Sequence, residues 1–427
     1  MASKNIVLVI SFCFICILSF AQKNDKVLNS AEALRLVSFL ASDEMKGRKT
    51  GTPEIDLAAD FIGTEFKKNG LKFYDGLQSY KQTFTHIRTK YISAICKIDT
   101  TQLNASNIIT VTTDSLVTFN ETSGYKTLQI KAADNLFFSA KDIIESKKNA
   151  IVFVDSFFTK DFYKLKAFKK ESVKSNFNVV FVIANTIAKK YNFEIKHTIK
   201  ELHFSNVVGI LPGKKKKNEF VLFSSHYDHL GASKPNASGD SVYNGANDDA
   251  SGTAAIIMLA NCFAKQKNND RTLVFVAFTA EEIGGFGSQY FSENIDAEKV
   301  VAMFNIEMIG TESKWGKNSA YITGFEKSNF GEILQQNLKS SAFHFEADPY
   351  PTENLFYRSD NANLAKLGVP AHTISTSKMD NEPTYHKLND EIASIDIINM
   401  VEIIKAISAS SKSIVAARDT PTRVKKQ

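Results

Sequence analysis

The chain has 427 residues, of which 43% are hydrophobic and 23% are charged, so it can bury a sizeable core and does not have the composition of a disordered protein. Its formal net charge is only +6 and its lysines are scattered, which argues against nucleic-acid binding. The one dense basic run, at 214–217, lies between two apolar segments, and we interpret it as a solvated turn.

The N-terminus has the pattern of a secretory signal peptide. Lys4 precedes an apolar run at 6–20, and Ala21 follows it as a small residue suited to a cleavage site. The run is short for a membrane span, so residues 1–21 are expected to be cleaved, with an uncleaved anchor as the alternative. The mature chain, secreted or periplasmic, would keep only Cys96 and Cys262, which do not form a disulfide framework.

The segment after the expected cleavage site predicts two amphipathic helices. Apolar residues recur at helical spacing at 30–40 and at 55–68, and the segment between them, 41–48, is polar and resembles a loop. Ser30 and Glu32 suit the first turn of the first helix.

Residues 86–204 have a different texture, β-rich and rich in Phe and Lys. Two patterns of buried strands, at 150–154 and 179–183, flank a basic helix predicted at 160–170. No cluster of potential ligands occurs in this region, so we interpret it as an inserted domain without a second active site.

From residue 205 the chain alternates strands and helices, which predicts an α/β fold with a three-layer architecture. We expect a mixed, mostly parallel sheet flanked by helices. Strands are predicted at 206–211, 220–224, 272–278, 300–306, 320–323 and 369–373. Helices are predicted at 251–265, 286–293, 329–340, 361–367 and 395–410. The tail at 413–427, which is polar and basic from Arg418 onward, is expected to be flexible.

Imidazole and carboxylate groups follow three of these strands, at the end where α/β sheets collect functional residues. They are His226, the pair Glu281 and Glu282, and Glu307, while Asp248 lies where a helix begins. Each alone has a bland structural explanation, but four carboxylates at one edge would repel and raise each other's pKa. Two Zn²⁺ ions per chain would balance this charge, and they accept imidazole nitrogen and carboxylate oxygen.

The residue types also suggest how the roles are divided. A carboxylate can bridge two ions roughly 3.5–4 Å apart, and Asp248 is the natural bridge. Asp228, two residues after His226, could hold the other ring nitrogen. Glu281 and Glu282 leave a strand in opposite directions, so one can bind metal while the other serves as general base.

A second imidazole ligand is expected late in the chain, at His386, just before the last predicted helix. His229 is close enough in sequence to line the cleft, but no ligand role is assigned to it. The remaining histidines are interpreted as structural, and they are His86, His197, His203, His344 and His372.

Five stretches in this order resemble a known family: SSHYDHLG, NGANDDASGTAA, FVAFTAEEIGGFGSQYF, MFNIEMIG and PTYHKLNDE. They are similar to the co-catalytic zinc peptidases, which include bacterial leucyl-type aminopeptidases, glutamate carboxypeptidase II and the glutaminyl cyclases. The resemblance also takes in ASDEMKGRKTG and NVVGILPG. It implies a catalytic domain made of residues 28–85 and 205–412, while 86–204 resembles a diverged protease-associated domain.

The resemblance implies that Asp248 bridges both metals, that His226 and Glu307 complete one ion, and that Glu282 and His386 complete the other. It assigns the general base to Glu281. It also implies a cis peptide bond between Asp248 and Asp249. The family usually has Asp where this chain has Glu307, which keeps the donor atoms but adds a methylene.

These features predict a secreted exopeptidase that hydrolyses the first peptide bond of peptides with a zinc-activated water. Three alternatives stay open. A glutaminyl cyclase would use one zinc and would not need His226 and Glu307. A carboxypeptidase or dipeptidase would need a cationic pocket, for which Arg358 is a candidate. A non-catalytic binding module would be expected to have lost ligands, and none is missing.

Overall fold

The computed structural model describes residues 27–169 and 171–427, so the predicted signal peptide at 1–21 lies outside the described residues. The chain divides into two compact units, one of residues up to Thr83 together with Phe204–Gln427, and one of Phe84–His203. The boundaries of the second unit differ by at most two residues from those of the insertion predicted at 86–204. The chain passes from one unit to the other within two long strands, Lys81–Ile98 and Tyr191–Leu211.

The strands of the described chain are numbered in chain order. In the first half they are β1 (Lys72–Phe73), β2 (Lys81–Ile98), β3 (Thr101–Gln102), β4 (Ile108–Val111), β5 (Leu116–Asn120), β6 (Lys126–Ile130), β7 (Ala150–Val154), β8 (Glu171–Val173) and β9 (Val179–Ile183). In the second half they are β10 (Tyr191–Leu211), β11 (Lys216–His226), β12 (Gly231–Ala232), β13 (Val242–Tyr243), β14 (Arg271–Phe278), β15 (Val300–Ile306), β16 (Ser319–Ile322), β17 (His344–Ala347) and β18 (Ala371–Ser375).

The α-helices are α1 (Ser30–Leu40), α2 (Pro53–Lys68), α3 (Leu136–Glu145), α4 (Ser251–Gln266), α5 (Phe286–Glu293), α6 (Phe330–Asn337), α7 (Asn361–Lys366), α8 (Ile397–Ser410) and α9 (Lys412–Val415). Asn29 caps the first of these, because its side chain accepts a hydrogen bond from the backbone N–H of Glu32. Within the described ranges, no helix combines the length and the apolarity needed to cross a bilayer.

The larger unit contains the mixed, mostly parallel sheet that the sequence predicts. Its strand order is β17-β16-β18-β15-β11-β14-β10, with β1 added beside β10. The central strand β11 is parallel to both β14 and β15, and β15 is parallel to β18. The antiparallel pairs of this strand series lie at its flanks, between β1 and β10, between β10 and β14 and between β16 and β18. The predicted α/β class is therefore confirmed.

Helices cover both faces of this sheet, and alternate residues of β11 reach the two resulting cores. Val221 and Phe223 pack in the core that includes α1, α4 and α8, while Leu222 packs in the core that includes α5 and α7. The ring of Phe223 stacks at 4.8 Å on Phe304 and at 5.4 Å on Phe275, which locks the three central strands together. Burying each such side chain stabilises the fold by about 1.5–3 kcal/mol.

The inserted unit has its own four-stranded sheet, in the order β4-β9-β7-β6. The buried strands β7 and β9 occupy the predicted segments and run parallel. The basic helix predicted at 160–170 is a 3-10 helix at Phe162–Lys169. Its core contacts come from Phe162, Leu165 and Phe168, which are three residues apart, the period of a 3-10 helix and not of an α-helix.

The tail at 413–427, which the sequence predicts to be flexible, makes defined contacts with the rest of the larger unit. Arg271 is buried and donates hydrogen bonds to the backbone oxygens of Ile414 at 2.7 Å and Asp419 at 2.6 Å. Val424 is buried as well, and the backbone N–H of Gln427 bonds to Lys366 at 3.1 Å. A buried guanidinium needs acceptors, and the polar tail supplies them. The sequence gives no sign of this because Arg271 and its partners are far apart in the chain.

Candidate metal centre

Three parallel strands end at one edge of the sheet and bring the predicted ligands together. Strand β11 lies between β14 and β15. It ends at His226, which is the last residue of the strand and not, as predicted, a residue beyond it. Strand β14 ends at Phe278, shortly before Glu281, and β15 ends directly before Glu307. The strand-end placement predicted from the sequence is therefore observed.

Asp248 reaches this edge from a tight turn, Ala246–Ala250, that leads into α4. The carboxylate of Asp390 holds the turn by accepting hydrogen bonds from the backbone N–H groups of Asn247 at 2.8 Å and Asp248 at 3.0 Å. The peptide bond between Asp248 and Asp249 is cis, as the resemblance implies. The turn is thus anchored by the same loop that carries the late histidine.

The two oxygens of Asp248 face different groups. Oδ1 lies 3.2 Å from His226 Nε2, whereas Oδ2 lies 3.3 Å from His386 Nε2. The same His386 nitrogen is 3.1 Å from Glu282 Oε2. Glu307 lines the cavity onto which Asp248 and His386 also open. A carboxylate with one oxygen toward each of two imidazoles has the geometry that a bridge between two ions requires.

Burial and mutual repulsion dominate the electrostatics of the cluster. Burial raises the pKa of Glu281 well above its usual value, and Glu307 beside it raises it further. Burial likewise raises the pKa of Glu307. Burial also opposes ionisation of Asp248, but the imidazoles of His229, His226 and His386 outweigh it and lower that pKa.

Hydrogen bonds with Asp248 and Glu282 raise the pKa of His386 to about 10. A proton on this imidazole therefore offsets the negative charge of the two carboxylates, as a bound cation would. Metal binding releases such protons, because the ligands must be deprotonated to coordinate.

The donor set fits zinc. Glu307 Oε2 is buried and has no hydrogen-bond partner among the described residues. Leaving such an oxygen unsatisfied costs about 1–3 kcal/mol, more when it is charged, and a cation would remove that cost. His229, Asp248 and Glu282 each offer one ligand atom within 4.8 Å of the others. Imidazole nitrogen and carboxylate oxygen are both zinc ligands.

Asp228 supports the site in a different way from the one predicted. Its backbone oxygen, and not its carboxylate, receives the hydrogen bond from His226 Nδ1, at 3.1 Å, while Oδ1 lies 3.9 Å from that nitrogen. The carboxylate accepts the backbone N–H groups of Glu281 at 3.1 Å and Glu282 at 3.3 Å, and the Thr50 hydroxyl at 3.0 Å. Asp228 therefore positions the loop of the two glutamates, and its carbonyl leaves His226 Nε2 free for a ligand.

Asp249 links two parts of the site. Its Oδ1 accepts the backbone N–H of Gly252 and that of Met308, both at 3.0 Å. Met308 directly follows Glu307, so this carboxylate ties the turn of Asp248 to the end of β15. The sequence predicts Asp249, like Asp228, as a residue that supports the ligands without binding metal, and it would do so through these contacts.

A cavity opens in front of the cluster, and Glu281 faces it together with Asp248 and Glu307. Its further lining includes five apolar or aromatic side chains, Met308, Tyr321, Leu355, Met379 and Tyr385. Arg358 also lines it, and its Nη1 pairs with Glu353 Oε2 at 2.9 Å. The cavity can therefore hold an apolar side chain next to the charged centre.

Sequence reasoning missed the role of Arg48. Its guanidinium is fully buried and donates hydrogen bonds to four backbone oxygens, those of Leu40, Tyr227, Asn244 and Gly245. It thus joins the N-terminal segment to the residue after His226 and to the two residues before the turn of Asp248. The stretch ASDEMKGRKTG contains Arg48, but nothing in that stretch reveals contacts made 179 to 197 positions later.

The contacts of His229 with two of the proposed ligands are also not evident from the sequence. Its Nδ1 lies 2.7 Å from Glu282 Oε1 and 3.9 Å from Asp248 Oδ2. Its place three residues after His226 is the only signal in the sequence, since Glu282 comes 53 positions later.

Residues 206–411 match the model of peptidase family M28. A probable zinc metalloprotease of Pyrenophora tritici-repentis is 33% identical over 123 residues, 28% of this chain and 28% of that protein. Aminopeptidase YwaD of Bacillus subtilis is 25% identical over 231 residues, 52% of this chain and 47% of that protein. The chain thus spans less than half the length of these two curated relatives.

The solved structure of an aminopeptidase from Aneurinibacillus sp. strain AM-1 superposes with a TM-score of 0.54 at 19% identity, covering 94% of this chain and 97% of that one. It shares the fold. The predicted ligands and the strands β11, β14 and β15 that position them lie within the segment that the family model matches. Residues 206–411 are thus similar to peptidase family M28, and the fold is shared with that solved aminopeptidase structure.

Proposed function

We propose that the protein is a secreted, zinc-dependent aminopeptidase that removes the N-terminal residue from peptides. The observation that carries the proposal is the placement of Asp248, whose two oxygens face His226 on one side and His386 on the other. Glu281 opens onto the same cavity. A bridging carboxylate beside a buried glutamate is the arrangement that hydrolysis by a two-metal centre needs.

The proposal includes two zinc ions per chain. Asp248 would bridge them, His226 and Glu307 would hold one, and Glu282 and His386 would hold the other. The contact between Glu282 Oε2 and His386 Nε2 at 3.1 Å supports the second group. The burial of Glu307 Oε2 without a partner among the described residues supports the first.

Bound zinc would supply a water of lowered pKa and a Lewis acid for the scissile carbonyl. Glu281 is proposed to accept a proton from the attacking water and to return it to the leaving amine. Burial raises the pKa of Glu281, and this brings the carboxylate closer to the pH at which both transfers are efficient. Asp228 holds the Glu281 backbone N–H at 3.1 Å and so orients the base.

Two alternatives on the same fold can be weighed against specific residues. A glutaminyl cyclase would not need His226 and Glu307, yet both are retained at the edge of the sheet. A carboxypeptidase or dipeptidase would use a cation to hold the substrate's carboxylate, and Arg358 does line the cavity. Glu353 offsets that charge from 2.9 Å, which favours the aminopeptidase.

Secretion rests on the signal-peptide pattern at 1–21. The unit of Phe84–His203, whose core is formed around its own sheet, is proposed to be a diverged protease-associated domain.

A panel of substrates tests the function directly. Aminoacyl-p-nitroanilides with a free amine should be hydrolysed, N-acetylated versions should not, and a chelator should abolish the activity until zinc is restored. Cleavage of N-acetylated peptides from their free carboxyl end would identify a carboxypeptidase. Cyclisation of an N-terminal glutamine without hydrolysis would identify a cyclase.

A further inference from the structure

His229 is buried against a proposed zinc ligand, and the mechanism above gives it no role. Its side chain is completely inaccessible to solvent, and its Nδ1 lies 2.7 Å from Glu282 Oε1. The other oxygen of Glu282, Oε2, lies 3.1 Å from His386 Nε2. The two oxygens of Glu282 therefore contact different imidazoles.

The surroundings of His229 are built to hold its ring in place. Its backbone N–H donates to the carbonyl of Arg48 at 3.3 Å, and it forms a β-bridge with Lys49. Gly245 lies against the ring, where a Cβ would come within 2.6 Å of it. Arg48 in turn donates to the carbonyl of Gly245 at 2.9 Å, so the glycine that admits the ring is itself fixed.

The distances separate two kinds of contact in the cluster. Two atoms that coordinate one zinc at about 2.0–2.1 Å in tetrahedral geometry are themselves about 3.3 Å apart. The contacts His226–Asp248, His386–Asp248 and His386–Glu282 measure 3.2, 3.3 and 3.1 Å. Each of these distances suits two atoms that bind the same zinc ion. The His229–Glu282 contact at 2.7 Å is shorter than that and has the length of a charge-assisted hydrogen bond.

We propose that His229 is a positioning residue of the metal centre. It donates Nδ1–H to Glu282 Oε1 and so directs Glu282 Oε2 to the ion shared with His386. The inference rests on the proposed function and extends it, because it adds a residue that acts through Glu282 without touching substrate or metal. Substitution of a residue that orients a metal ligand in this way commonly weakens metal affinity 10–100-fold.

Two substitutions distinguish positioning from coordination. The amide nitrogen of asparagine can take the place of Nδ1, whereas that of glutamine lies further out, near the place of Nε2. Zinc affinities measured by competition with a chromophoric chelator should therefore be near wild type for H229N. They should be about 10–100-fold weaker for one of the two ions in H229Q and H229A.

Two controls accompany these variants. H372N removes another buried imidazole, one that bonds to Thr323 and Ser328 and to none of the proposed ligands, so it should lower stability without changing zinc affinity. Denaturant unfolding of each variant, loaded with zinc and stripped of it, separates metal loss from instability. If H229A does not fold, the comparison between H229N and H229Q carries the test.

The results that overturn the proposal are specific. Loss of one zinc from H229N as severe as that from H229A would mean that the imidazole itself coordinates the ion. Unchanged affinities in H229A and H229Q would mean that His229 does not position Glu282. Wild-type protein that binds no zinc or hydrolyses no free-amine substrate would refute the proposed function, a result distinct from either.

Discussion

The carboxylate of Asp390 accepts a hydrogen bond from the backbone N–H of Asp248 at 3.0 Å, across 142 positions of sequence. The loop that carries His386 thereby also holds the turn that carries Asp248, the proposed bridging carboxylate. Two proposed ligands, Asp248 and His386, are set by one loop, and Asp248 is the proposed bridge, so a change in that loop should act on both metal positions.

D390A should weaken zinc binding although Asp390 is not a proposed ligand. The variant leaves the backbone N–H groups of Asn247 and Asp248 without their acceptor, so the turn loses its anchor. We expect a loss of about 10–100-fold in affinity, measured by chelator competition. E391Q, which changes the exposed neighbouring residue, is the control. Equal affinities in D390A and E391Q would contradict the link.

E281Q should separate chemistry from metal binding. Glutamine keeps the shape of the side chain but cannot accept the proton, so kcat should fall about 10²–10⁴-fold while zinc content stays unchanged. The neighbouring E282Q should show the opposite order of effects, with zinc affinity lost first. Steady-state kinetics with metal analysis on both variants checks this pair. An E281Q variant with wild-type kcat would exclude Glu281 as the base.

E307A should lower the zinc content from two ions per chain to one. Glu307 has a buried oxygen without a partner among the described residues, and Ser359 is hydrogen-bonded to its carboxylate. Removing the side chain takes away a proposed ligand of the ion that His226 would also hold, while the other pair of proposed ligands remains. Metal analysis after gel filtration measures the ratio. Two ions retained by E307A would show that Glu307 is not a ligand.

R48A should destabilise the fold more than a substitution of a partly exposed arginine. The change removes donors from four backbone oxygens in a buried site, and we expect a loss of at least about 3 kcal/mol in the free energy of unfolding. The comparison is R35A, since the Arg35 side chain is 43% exposed. Denaturant unfolding of both variants measures the difference. Equal stabilities would contradict the anchoring role of Arg48.

His372 should make the protein sensitive to mild acid. Burial lowers the pKa of its imidazole to about 4, from about 6.5 in the unfolded chain. Above pH 6.5 neither state takes up the proton. Between pH 6.5 and 4 only the unfolded chain does, so stability is lost as the pH falls, by about 3 kcal/mol in total.

The measurement is the free energy of unfolding at several pH values for wild type and H372N. The variant lacks the titrating group, so the difference between the two should shrink as the pH falls from 6.5 to 4. The exposed His344 offers a control in H344N, which should follow the wild type. A difference that stays constant with pH would contradict the assignment.

The sequence could predict the position of a site residue where that position follows from a local pattern or from the end of a strand. His226, Glu281 and Glu307 could be placed because parallel strands bring their ends to one edge, and alternation and apolar runs reveal those strands. Asp248 could be placed at the same edge from its position before a helix. The α/β class with a mostly parallel sheet could be predicted for the same reason. The parallel pairing of β11 with β14 and β15 confirms it.

The rest depends on contacts that no local pattern encodes. Asp228 uses its backbone oxygen on His226 and its carboxylate on the glutamate loop, which only the path of the chain decides. Arg48 and His229 gain their roles from partners on other elements. The ordered tail depends on the acceptors that a single buried residue, Arg271, requires. The helix predicted at 160–170 is a 3-10 helix at Phe162–Lys169. Its three-residue spacing of core residues is hard to recognise in a lysine-rich sequence.

The most direct test of the central claim is to measure zinc content and hydrolysis on the same preparation of the full chain. Protein purified without chelator should contain two zinc ions per chain and should hydrolyse leucyl-p-nitroanilide. Stepwise removal of zinc should lower the activity, and adding zinc back should restore it. A fully folded preparation that hydrolyses the substrate equally well without zinc, or that binds only one ion at saturation, would contradict the two-zinc account.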